Sequence, residues 1–135
     1  MIPDVSVQRT RIVELLEPLD LHVFEAAPSG TLPTQFVLIG MPSWKPPAEA
    51  LCMHEIEWQL MVCVGRSGTN DTLTALALEG AWPQVVNLLD QAIEADASLG
   101  GICMTSSLGG AEFATVTIQG ADLPAQIITL TMQGA

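Results

Sequence analysis

The sequence predicts an α+β fold: an antiparallel or mixed β-sheet of about five to six strands, with an N-terminal helix and a central helical segment packed on one face. Three observations lead there. Ile56, Trp58, Leu60, Val62 and Val64 place an apolar side chain at every second position, the period of a half-buried strand. The same period returns in 112–119 (EFATVTIQ) and 125–132 (AQIITLTM). Residues 5–17 and 83–96 instead space their apolar residues for one face of a helix. The 135 residues read as a single domain, 1–135, long enough to bury roughly two thirds of the unfolded surface without a disulfide or metal.

Taken in order, residues 5–17 form an amphipathic helix on Val5, Ile12, Val13, Leu15 and Leu16. Asp4 caps its start and Pro18 marks its end. Residues 20–26 make a short strand, with Leu21 and Val23 on one face and His22 and Phe24 on the other. A Pro/Ser/Gly turn (27–33) leads to an apolar strand, 35–40, covered on both faces. Residues 41–51 hold three prolines, which exclude a central strand or a helix interior. They read as a long exposed loop with Trp44 and Lys45 near its tip. Trp44 has two readings: an anchor tucked back on the core, or a contact to a neighbouring subunit, where aromatic residues concentrate.

The long strand within 53–65 follows, with Glu55, Glu57, Gln59, Met61 and Cys63 on its wetter face. After the turn 65–71, a short helix runs to about Glu79, and Gly80 breaks it. Pro83 opens a second helix, 83–96, whose buried stripe is Val85, Val86, Leu89 and Ile93. Residues 99–109 form a strand after a glycine pair, Gly109–Gly110 a turn, 112–119 a strand, 120–124 a turn and 125–132 the last strand.

Chemistry-bearing motifs are sparse. MHEIEWQLMVCVG (53–65) begins like H-E-x-x-H, but Trp58 stands where the second histidine would be, and the local period is that of a strand. Cys52 and His54 fall on one strand face without the further ligands a metal needs. The turn GRSGTND (65–71) lacks the G-K-[ST] ending of a phosphate loop. No G-x-S-x-G elbow exists, and Glu55 with Glu57 reads as a solvated strand face rather than an acid–base pair. The reading is not an enzyme, with no catalytic, cofactor or metal residues.

Composition bounds the partners. Net charge is −11, from four basic and fifteen acidic residues. Clustered lysine and arginine for gripping nucleic-acid phosphates are absent. Hydrophobic residues are 49% of the chain, more apolar surface than a free monomer wants, so self-association is expected. No apolar run reaches a membrane span, and 1–19 lacks the core of a signal peptide, giving a non-exported, membrane-free expectation. The odd cysteine set, Cys52, Cys63 and Cys103, reads as reduced thiols.

Four stretches, in this order of elements, carry a resemblance: LHVFEAAPSG (21–30), FVLIG (36–40), EIEWQLMVCVGRSGTND (55–71) and AIEADASLGG (92–101). The chain resembles the tail terminator (tail completion) proteins of long-tailed bacteriophages, as in phages of actinobacteria. The P-S-W-K-P-P loop (42–47) matches no pattern of that family. The resemblance implies a structural virion protein, made in the host cytoplasm. It would form a hexameric ring at the head-proximal end of the tail tube, stop tube growth and join the tail to the head. Its partners would be further copies of itself, the tail tube protein and the head–tail connector or stopper protein, with genomic DNA passing through the lumen unbound. Trp44, Lys45, Pro46 and Arg66 are the candidate interface residues. The alternatives are another neck or tail ring protein, such as a stopper, connector or tube subunit, or a cellular binding module for a small molecule or protein.

Overall fold

A computed structural model describes residues 4–26, 28–46, 53–65 and 71–134. The elements run α1 (Val5–Leu16), β1 (His22–Phe24), β2 (Gln35–Ile39), β3 (Ser43–Lys45), β4 (Glu55–Val64), α2 (Asp71–Ala95), β5 (Thr105–Ile118) and β6 (Ala121–Gln133). The fold is α+β with a six-stranded mixed sheet in the order β1-β2-β4-β6-β5. β1 pairs parallel to β2, the other pairs are antiparallel, and β3 sits off this path against the first residues of β4.

Alternation along β4 sorts its residues to two faces. Ile56, Trp58, Leu60, Val62 and Val64 join Val37, Ile39, Ile128, Leu130 and Met132 in the main core. The two helices cover that front face with Ile12 and Leu16 from α1 and Leu78, Ala81, Val85 and Leu89 from α2. Asp4 caps α1 as expected, its carboxylate accepting from Ser6 N and Val7 N.

α1 buries a different stripe from the one its apolar letters suggest. Gln8, Ile12 and Leu16 face inward at helical spacing, while Val5 is exposed. Trp58 explains the glutamine. Its indole is fully buried, and Nε1 donates to Gln8 Oε1 at 2.8 Å. A buried indole N–H left without an acceptor would cost about 1–3 kcal/mol. The Arg9 guanidinium then lies 5.1 Å from the centre of the Trp58 ring.

Four boundaries differ from the sequence expectation. The two central helices are one, because Gly80 and Pro83 lie inside the unbroken α2. The stripe Leu78, Ala81, Val85 and Leu89 stays in phase across them, so burial holds the helix together through a glycine costing about 1 kcal/mol. Gln84 Nε2 also donates back to the Gly80 carbonyl at 2.8 Å. Residues 43–45 are an edge strand rather than loop, which the flanking prolines permit. Gly109–Gly110 is a bulge, not a turn: β5 pairs with β6 on both sides of it. Residues 99–104 are turns and bends, so that strand starts only at Thr105.

The β5–β6 hairpin closes on two residues, Gln119 (φ 54°) and Gly120 (φ 78°). Two consecutive positive φ values are the geometry whose twist matches a hairpin, and glycine adopts it without strain. The hairpin tip reaches the segment before β2, where Gln119 Nε2 donates to the Pro28 carbonyl at 2.8 Å. Phe36, Leu38, Cys63, Ile118, Leu123 and Ala125 form a second buried cluster there, with Phe24, Leu32 and Met61 packed against it.

Candidate interaction surfaces

The sequence-named residues Trp44, Lys45 and Pro46 are all exposed on and just after β3. Register places Lys45 opposite Glu55, Trp44 opposite Ile56 and Ser43 opposite Glu57. Lys45 Nζ lies 3.1 Å from Glu57 and 3.6 Å from Glu55. Its amine is held above the usual lysine range by the hydrogen bond and charge of Glu57, then by the charge of Glu55. Gln133 Nε2 donates to the other Glu55 oxygen at 3.3 Å. Trp44 is only part tucked: the side chain is 48% exposed, and Nε1 donates to His54 Nδ1 at 3.0 Å. Arg66 lies outside the described residues.

A second surface was not legible in the sequence. β5 is the outer strand of the sheet, fourteen residues long, and Glu112 is its one charged residue. Phe113 on it is 65% exposed, and Leu76 on α2 is 57% exposed. Between α2 and this strand runs a groove of about 510 Å³ whose apolar lining is Ala75, Leu78, Trp82, Phe113 and Pro124. Only the hairpin register, which a sequence pattern does not specify, brings Phe113 opposite Gln126 and next to α2.

The stretch AIEADASLGG acquires a structural role. Asp96 accepts from Ser98 Oγ at 2.6 Å, Gly100 N at 2.9 Å and Ser98 N at 3.0 Å. Those hydrogen bonds, the Ser98 hydroxyl first, hold its carboxyl below the ordinary aspartate range. Leu99, Gly100 and Gly101 then take φ of 50°, 84° and 88°. The glycines make that left-handed run affordable, and Leu99 turns inward to 2% exposure. Arg11 Nε donates to the Leu99 carbonyl at 3.0 Å, tying this corner to α1.

Among the described residues, the histidines, Ser106 and the cysteines are taken up by separate local contacts. His22 stacks on Phe24, while His54 holds Trp44. Ser106 donates to the Ala97 carbonyl. Burial pushes the Cys63 thiol up to about 12, and burial followed by the Asp96 charge pushes Cys103 up. Among the described residues, no three His, Cys, Asp or Glu side chains come together as metal ligands would. No helix among them is long and apolar enough to cross a membrane. Compared with protein-family models and with curated proteins, the chain matches none of them.

Proposed function

We propose that this protein is a ring-forming subunit of a phage tail, a terminator that closes the head-proximal end of the tail tube. The observation that carries the self-assembly part is β5: a fourteen-residue edge strand with one charge and no proline or lysine to guard it. Unpaired edges of that length invite a strand from another chain. The exposed Phe113 on it adds apolar surface for a neighbour to cover. The sequence resemblance supplies the tail context and the partners: the tube protein on one side, the head connector or stopper on the other.

Charge supports the role of the lumen. Arg9 is engaged with the Glu25 carbonyl, Arg11 with Glu14, and Lys45 with Glu55 and Glu57. The described cations are thus drawn into contacts within the chain, against a net charge of −11. An acidic channel lets DNA slide without sticking. A channel lined by Arg9, Arg11 or Arg66 would contradict this reading.

The test is solution mass by light scattering over a concentration series, with negative-stain images of the protein alone and mixed with purified tail tubes. Closed rings of one size, or rings that form on tube ends, support the terminator. Open-ended stacks identify a tube protein instead. A second reading, a binding module, is favoured by the groove between α2 and β5. A monomer or dimer that ignores tail tubes would select it.

A further inference from the structure

β3 is fastened to β4 by one clamp on each side. Register places Lys45 with Glu55, and Ser43 with Glu57, on the back face. There Lys45 Nζ meets both carboxylates, at 3.1 and 3.6 Å. Trp44 lies opposite Ile56, a front-face core residue. On that side its Nε1 donates to His54 Nδ1 at 3.0 Å, with the ring centres 5.9 Å apart. Beyond these clamps, the described contacts of β3 are its three register pairs with β4, and its three residues are exposed.

The front clamp has a strict chemical condition. An indole N–H can only donate, so the imidazole nitrogen it meets must be unprotonated. An imidazolium carries N–H at both nitrogens. A proton added to His54 therefore sets two donors against each other. We infer that the Trp44–His54 pair is a proton-operated latch: neutral His54 holds the β3 strap closed on β4, and protonated His54 releases it on the Trp44 side. Release frees a half-exposed indole and loosens the outer edge of β4 at Glu55–Glu57. Protonation of the imidazole is the event that removes this acceptor.

The described groups around the latch set its direction. Lys45 from β3 and Glu55 and Glu57 from β4 are the charged groups there. β6 brings Gln133, which donates to Glu55, and no charge at that end. Both carboxylates are taken up by Lys45 on the face opposite the indole. The back clamp does not involve His54, so protonating the imidazole opens the strap on the indole side alone. The inference is independent of the proposed assembly role, since it concerns contacts within one chain.

The experiment is a pH 5–8 titration of the intact protein by proton–nitrogen NMR. The three tryptophans give three indole N–H signals, and the His54 ring protons are followed in the same samples. The Trp44 signal is expected to shift upfield and lose protection from solvent exchange as pH falls, with the midpoint of the His54 ring. The buried indole of Trp58, bonded to Gln8, serves as the unmoved reference. His54→Gln keeps an acceptor that does not titrate, and should hold the Trp44 signal fixed across the range. A Trp44 signal that stays still while the His54 ring titrates overturns the latch. So does one that still moves in His54→Gln. The wild-type titration decides even if the variant folds poorly.

Discussion

The back of the sheet is two unlike surfaces built on the same strands. Along β4 the back-facing residues run Glu55, Glu57, Gln59, Met61, Cys63. The first two carry the Lys45 clamp, Gln59 is exposed, and Cys63 is fully buried. The change coincides with what lies above the strand. Over Cys63 the hairpin tip and the segment before β2 close in, adding Ile118, Leu123 and Leu32 to Phe36 and Leu38. Glu57 instead has the short edge strand β3 beside it, and among the described residues its back-face contact is Lys45. One strand thus obeys the rule for half-buried sheets at one end and for fully covered sheets at the other. The difference teaches that a second layer need not cover a whole face: a hairpin longer than its neighbours covers the part it can reach.

If that division is right, substitutions along the same sheet should differ sharply in cost. The largest effect belongs to the front face, where Trp58→Ala should cost about 3–5 kcal/mol in chemical denaturation. A near-zero change would mean the indole is not buried as described. Phe36→Ala on the covered back should cost about 3 kcal/mol, while Gln59→Ala on the open back should stay within about 0.5 kcal/mol. Equal costs for these two would erase the division.

Alkaline pH probes the covered half alone. The Cys63 thiol holds its proton up to about 12 in the folded state, because burial disfavours the thiolate. An unfolded thiol ionises lower, so above that lower value the folded chain carries a proton the unfolded chain has lost. Stability must therefore fall as pH rises toward about 12, by at most about 1.4 kcal/mol per pH unit. Cys63→Ala should flatten that decline, measured as denaturation midpoint against pH. At neutral pH, Cys63 should resist a thiol reagent in the folded protein and react once it is unfolded. Rapid labelling of the native thiol would show that the hairpin tip does not seal this cluster.

Much of the fold was legible because it rests on local patterns. The period of two in β4, β5 and β6 reflects strands with one apolar face, and Asp4 with Pro18 bracketed α1 correctly. The failures are equally physical. Gly80, Pro83 and Gly109–Gly110 are local breakers, and in each case contacts from far along the chain outweighed them. Gln8 is a polar residue on the buried stripe of α1, where it supplies the acceptor Trp58 requires. Its spacing from Ile12 and Leu16 was the available signal, but the partner lies fifty residues away.

Of the candidate surfaces, exposure of Trp44 and Lys45 was readable from the prolines around them. Their partners His54, Glu55 and Glu57 were noticed as a failed metal motif and a solvated strand face, not as contacts of β3, since strand register is not encoded nearby. The groove beside β5 had no sequence trace, because Leu78, Trp82, Phe113 and Pro124 come together from segments far apart in the chain.

Composition and periodicity alone settle the class of fold, the acidic character and the absence of clustered basic charge, because each is a property of residues counted or of neighbours a few positions apart. Tertiary structure alone decides that α2 is continuous, that β5 runs through its glycines as a long edge, and that the back of β4 is half sealed. Those outcomes depend on burial shared between distant segments, and free energy from such burial exceeds the roughly 1 kcal/mol preferences that single residues express.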